Sequence, residues 1–286
     1  MEHWICTTCG TQHAASETPP ARCEICTDER QYVNPQGQQW TTLARLRRTH
    51  RNTVRMEGEG LMGIGMEPAF GIEQRAILVR APGGNVLWDC ISLLDDALVE
   101  MIRGIGGLRA VAISHPHYYT SMVEWARAFG CPVLLHADDR EWVMRSDPSI
   151  EFWEGETKAL GDGLTLVRCG GHFPGACVLH VARGDGALLT GDTLNVRPDF
   201  RHVSFMYSFP NLVPLSAAEV RHIADVLEPY PFADVHAAWW GMVIRGDGKE
   251  AVRRSAERYI AHLEGCARAD APADAPADAR AIGSDS

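Results

Sequence analysis

His115 and His117 stand one residue apart at the end of an apolar run, Leu108 to Ile113, that reads as a buried strand. In an extended chain, residues i and i+2 point the same way, so these two imidazoles can grip one ion from one side. A His-x-His pair alone is weak evidence. It gains weight because His172, Asp192 and His236 each follow a further strand-like run. Imidazole and carboxylate together suit zinc or iron. A second donor set lies near the N-terminus. Cys6 and Cys9, then Cys23 and Cys26, form two C-x2-C pairs with 13 residues between them. Each pair presents two thiolates on a tight knuckle, and two facing knuckles make a closed tetrahedral zinc site. A segment this short lacks a core, so the ion would supply its folding energy. Bound iron or a redox dithiol is the alternative use of the four thiols.

The elements around these residues alternate in type. Gln74 to Arg80 and Val86 to Cys90 read as a hairpin turning at Pro82-Gly83-Gly84-Asn85. Helical spacing follows over Leu93 to Arg103, with Ser92 as its expected N-cap. Further helices are expected at Ser121 to Phe129, Ala137 to Arg145, Ser216 to Leu227 and Glu250 to Leu263, and strands at Pro132 to His136, Leu164 to Cys169, Ala176 to Val181, Ala187 to Thr190 and Asp234 to His236. This alternation predicts a layered α/β domain. Gly58, Gly60, Gly63, Gly65 and Gly71 read as a loop that lacks a phosphate-binding pattern. The domains expected are a four-cysteine zinc-ribbon-like segment at 1–40, a main domain at 53–264 and a disordered Ala/Asp/Pro tail at 266–286.

Composition narrows the function classes. The formal net charge is -10 and no basic stripe is present, so a nucleic-acid partner is not expected. No apolar run reaches the ~18–20 residues of a membrane span, and the N-terminus lacks the basic and apolar regions of a signal peptide. The expectation is a cytoplasmic protein with reduced thiols, which an odd total of nine cysteines supports. Phe205, Tyr207, Phe209, Trp239 and Trp240 either line a substrate pocket or pack in the core.

Taken together, Ser114-His115-Pro116-His117, Gly170-Gly171-His172-Phe173-Pro174-Gly175, Thr190-Gly191-Asp192-Thr193 and the late His236 resemble the metallo-β-lactamase superfamily. The resemblance implies a four-layer αβ/βα sandwich with a small N-terminal zinc ribbon. It also implies metal ligands at His115, His117, His172, Asp192 and His236. The family's motif is His-x-His-x-Asp-His, and this chain departs from it: Tyr119 stands at the Asp position and Thr120 at the last His. Two ligands of a second metal are therefore missing, and a mononuclear centre is expected, with zinc or iron as its ion.

The activity so implied is a metal-dependent hydrolase that uses a metal-bound water on an ester, thioester or lactone-type small molecule. Asp192 would orient or deprotonate the water, or else bind the metal, and Tyr119 would donate a hydrogen bond to a developing oxyanion. Two alternatives stay open: an iron oxidoreductase of the persulfide dioxygenase type, using His115, His172 and Asp192, and a non-catalytic binding protein. The four-cysteine segment would lid the site or mediate contacts between copies of the chain, and the sequence does not choose between these.

Overall fold

In Ala76–Val79, Asn85–Trp88 and Leu108–Ala112, successive side chains enter different cores. Ile77, Val79, Val86, Trp88, Ala110 and Ala112 face one, while Leu78, Leu87 and Val111 face another. Strands that are apolar on both sides need a layer against each face. The computed structural model, which describes residues 1–265, supplies both layers. The expected tail at 266–286 lies outside the described residues.

A seven-stranded sheet runs in the order Ile150–Trp153, Val133–His136, Leu108–Ala112, Asn85–Trp88, Ala76–Val79, Leu61–Glu67 and Arg51–Gly58. A six-stranded sheet runs Thr157–Gly161, Leu164–Arg168, Cys177–Val181, Ala187–Leu189, Asp234–His236 and Val243–Ile244. Leu166, Leu179 and Leu189 of the second sheet meet Ile77, Trp88 and Leu134 of the first in a shared inner core. Helices Asp96–Gly104 and Met122–Phe129 cover the outside of the first sheet. Helices Ala217–Leu227 and Gly248–Leu263 cover the outside of the second. The result is an αβ/βα sandwich. Among the described residues, no helix is long and apolar enough to cross a membrane.

Three local expectations are corrected. The glycines at 63 and 65 sit inside a strand, not a loop. An added Cβ would meet the Trp240 ring at 2.5 Å on Gly63 and at 2.8 Å on Gly65, so the missing side chains make room for that indole. Asp95, not Ser92, caps the helix Asp96–Gly104, accepting from the Leu98 N–H at 2.8 Å. Ser92 instead donates to Gly10 O at 2.8 Å. The helix expected at Ala137 to Arg145 is a 3-10 turn, Ala137–Trp142, because Asp139 leaves helical geometry and turns its carboxylate to the Gly175 N–H at 2.8 Å.

The N-terminal segment forms a three-stranded sheet, Gln12–Ser16, Glu2–Cys6 and Trp40–Thr42, with a short helix at Glu24–Thr27. Its third strand runs past residue 40 into the helix Leu43–Thr49. The sheet docks on the sandwich beside the His115 loop: Gln12 N–H donates to Thr120 O and Ala14 N–H to Met144 O, each at 3.0 Å.

Candidate metal centre

Three loops bring four donors to one edge of the inner core. His115 follows Leu108–Ala112, and the chain then tightens into a 3-10 turn, Pro116–Tyr118. His115 and His117 thus converge through a turn, not along an extended strand. His172 lies between Leu164–Arg168 and Cys177–Val181, and Asp192 follows Ala187–Leu189. Gly191, at φ 51°, lets the Asp192 loop close on Ser114, since a Cβ there would lie 2.3 Å from Ser114 Oγ.

The four side chains are buried, and one ligand atom from each lies within 4.8 Å of the others. Asp192 Oδ2 is 3.4 Å from His115 Nε2, 3.9 Å from His117 Nδ1 and 3.7 Å from His172 Nε2. His172 Nε2 is 3.2 Å from His117 Nδ1. Tetrahedral bonds of 2.0–2.1 Å would put ligand atoms about 3.3–3.4 Å apart, so the donor set fits one ion. Two of the three outward nitrogens are held as ligating histidines require: His115 Nδ1 pairs with Ser114 Oγ at 2.8 Å, and His172 Nδ1 with Met206 O at 3.1 Å, while His117 Nε2 has no partner among the described residues. Ser114 N–H in turn donates to Asp89 Oδ1 at 2.8 Å.

Charge and burial oppose each other here. Burial, followed by the charges of its neighbours, pushes His172 well below its usual value, and burial lowers His117 too. Burial would raise Asp192, but the bonds to His115 and His117 outweigh it and hold the carboxylate well below its usual range. Burial pushes Asp89 up to about 7, against the hydrogen bonds from Ser114 that lower it.

Tyr119, expected beside the site, points elsewhere: its hydroxyl reaches Asp139 O at 3.4 Å. Tyr118 takes the place instead. In a 3-10 turn, residues i and i+3 eclipse, so Tyr118 packs on His115 with ring centroids 4.4 Å apart and donates to Asp192 Oδ1 at 2.5 Å. Burial, then the Asp192 charge, raises its hydroxyl well above the usual value, so it stays a proton donor. Tyr118 thus occupies Oδ1 and leaves Oδ2 facing the three imidazoles. Thr120 adopts φ 36° and offers its carbonyl to the N-terminal sheet.

His236 is not brought into the four-donor set. It is buried, and neither ring nitrogen has a hydrogen-bond partner among the described residues. Burial, then the charges of Arg75 and Arg245, push it down to about 3. Arg75, whose side chain is 0% exposed, donates to Glu57 Oε1 at 3.0 Å and to Ala237 O. Read as an ordinary strand residue, it shows no sequence signal for this burial.

The second donor set is also assembled. Cys6, Cys9, Cys23 and Cys26 are buried within the same mutual reach. Cys6 Sγ lies 3.6 Å from Cys26 Sγ, and Cys9 Sγ 3.5 Å from Cys23 Sγ. Tetrahedral Zn–S bonds of 2.3 Å would give about 3.8 Å. Gln38 donates to Cys6 Sγ at 3.0 Å, a support that sequence reasoning missed. The bond from Cys23 raises the Cys6 thiol, but those from Cys26 and Cys9 outweigh it and bring it down to about 7. Both groups could bind metals.

Residues 71–238, more than half of the chain, match the family model described as the metallo-beta-lactamase superfamily. An uncharacterized protein of Bacillus subtilis (strain 168), YmaE, is 48% identical over 268 residues, covering 92% of this chain and 97% of its own length. Among solved structures, the metallo-β-lactamase DIM-1 aligns with a TM-score of 0.55 at 12% identity, over 72% of this chain and 97% of its own. TTHA1623 in a di-iron-bound form aligns with a TM-score of 0.50 at 22% identity, over 66% and 96%. At such identities the likeness shows the shared fold alone. The matched family model and the close relative carry the further conclusion: the chain belongs to the metallo-β-lactamase superfamily.

Proposed function

We propose that the protein is a mononuclear metal-dependent hydrolase acting on a small ester, thioester or lactone, with zinc in both donor sets. The observation that carries this reading is the convergence of His115 Nε2, His117 Nδ1, His172 Nε2 and Asp192 Oδ2 on one point. Their separations of 3.2–3.9 Å fit one ion, and three imidazoles with one carboxylate suit zinc. A bound ion with room for water beside these donors would supply a Lewis acid that brings that water toward pKa ~7 and polarises a carbonyl.

The chain's own groups define the rest. Ser114 and the Met206 carbonyl fix the rings of His115 and His172. Tyr118 holds Asp192 in its ligand orientation and keeps a proton on the inner wall of the site. Where relatives of this superfamily would hold a second ion, Tyr119 and Thr120 turn to packing. Arg75 adds a fixed positive charge that acts on Tyr118, Asp89 and His236. That charge disfavours a second cation.

The test is hydrolysis of an aryl ester, an acyl thioester and a lactone by zinc-loaded protein. Turnover of at least one class should be lost on chelation, and His172→Ala should lower kcat/KM by about 10³-fold. Turnover that survives both chelation and His172→Ala, or no turnover in any class, would overturn the reading.

A further inference from the structure

The four-cysteine segment does more than dock beside the metal centre. Directly after the helix that carries Cys26, the chain runs Asp28-Glu29-Arg30-Gln31 across the loop that includes Met206. Tyr207 donates to Glu29 Oε1 at 2.5 Å and Ser208 to Arg30 O at 3.1 Å. Asn211 Nδ2 donates to Glu29 O at 2.9 Å and to Gln31 O at 3.0 Å. The strap is therefore tied to the same loop whose Met206 carbonyl orients His172.

This strap delivers one cation to the site. The Arg30 guanidinium carbon lies 4.1 Å from the centroid of Phe173, 5.0 Å from Tyr207 and 5.6 Å from Trp142. The Phe173 ring packs directly on the candidate ligands, with centroids 5.7 Å from His115, 5.0 Å from His117 and 5.2 Å from His172. Arg30 thus stands one aromatic ring away from the metal centre. Its Nε and Nη1 are buried and have no hydrogen-bond partner among the described residues, while 14% of the side chain stays accessible. Asp28 Oδ1 lies 3.3 Å from Nη1, but it already accepts the Arg30 backbone N–H at 2.9 Å and makes no aligned bond to the guanidinium. A planar cation shelved on aromatic faces, with donors unspent, is suited to receive an anionic group.

We infer that Arg30 is a specificity-determining residue that binds an anionic group of the substrate, so that the four-cysteine segment forms one wall of the active site. The substrate class is then a small acyl compound carrying a carboxylate, with the scissile carbonyl at the metal end. This deepens the hydrolase reading and rests on it.

Succinate and monomethyl succinate serve as probes of the zinc-loaded full chain. Each can place one carboxylate at the metal, and they differ in the charge of the far end. Binding is followed by calorimetry. Wild type should bind succinate about tenfold more tightly than the monoester. The preference should fall below about twofold in Arg30→Gln and be reduced but still present in Arg30→Lys, which keeps the charge and loses the planar fork. Tyr207→Phe, which loosens the strap but leaves the charge, should keep the preference, separating recognition from strap packing. Arg30→Met, which keeps an apolar stem on the aromatic shelf but no charge, should also lose the preference and decides the question if Arg30→Gln fails to fold. Equal binding of the two probes by wild type, or a preference that survives Arg30→Gln, would overturn the role of Arg30. If both probes still bind in a zinc-dependent manner, the hydrolase reading stands. Zinc-independent binding, or none, would remove that reading and this inference together.

Discussion

The two donor sets are built by different means. Each gathers four buried ligands within the same reach. The cysteine set draws them from residues 6–26, on two knuckles of a small sheet whose buried clusters are Cys6, Cys9, Cys23, Ile25 and Cys26, and Ile5 with Leu46 and Leu93. The histidine set draws them from residues 115–192, from loops between strands that already share a large inner core. In the first case an ion would hold the fold together. In the second the fold holds the donors in place before any ion arrives, through Ser114, Met206 and Tyr118. Four thiolates close a structural site, whereas a catalytic site must leave room for water beside its protein ligands.

Removing a ligand from each set should break this symmetry. Cys23→Ser should cost several kcal/mol within the N-terminal segment, exposing residues 1–40 to protease while the sandwich stays folded. His172→Ala should change the melting temperature little by comparison, because its loop is held by the sandwich. Equal loss of stability in both variants would contradict the contrast.

A smaller effect separates the two adjacent tyrosines. Tyr118→Phe leaves Asp192 Oδ1 without its donor and should lower kcat/KM about tenfold, or ~1–2 kcal/mol. Tyr119→Phe, whose hydroxyl faces Asp139 O, should leave kcat/KM within about twofold of wild type. A reversed order would return the catalytic hydroxyl to Tyr119.

The smallest effect concerns Asp139, which ties the His172 loop to the first sheet. Burial raises its carboxyl to about 7, above the ~3.9 of an unfolded chain. The native state binds this proton more tightly than the unfolded state. The contribution to stability is therefore whole below about pH 4 and is lost as pH rises through about 7. Asp139→Asn removes the titration. Between about pH 6 and pH 8, wild type should lose roughly 1–2 kcal/mol relative to the variant in chemical denaturation. Parallel pH profiles would show that the carboxyl is ionised throughout.

Legibility in the sequence follows the same division. The cysteine set is local, so its spacing alone identifies it. The strands could be read because Ile77, Leu78 and Val79 alternate between two cores while all remain apolar. His115, His117, His172 and Asp192 could be read because each follows such a strand. What escaped the sequence depends on distant contacts or on the local turn. Tyr118 and Tyr119 exchange roles because the chain tightens to a 3-10 turn after His115. Gly63 and Gly65 look like loop residues until Trp240, far along the chain, is seen to need their missing side chains. Arg75 and Arg30 carry no sequence signal because Glu57, Ala237 and the aromatic shelf of Phe173, Tyr207 and Trp142 are not their sequence neighbours.

Elemental analysis of purified wild-type protein beside His115→Ala tests the central claim most directly. The account predicts two ions per chain in wild type, both zinc, falling to one in His115→Ala with the four-cysteine ion retained. A single ion per wild-type chain that His115→Ala leaves unchanged would contradict it.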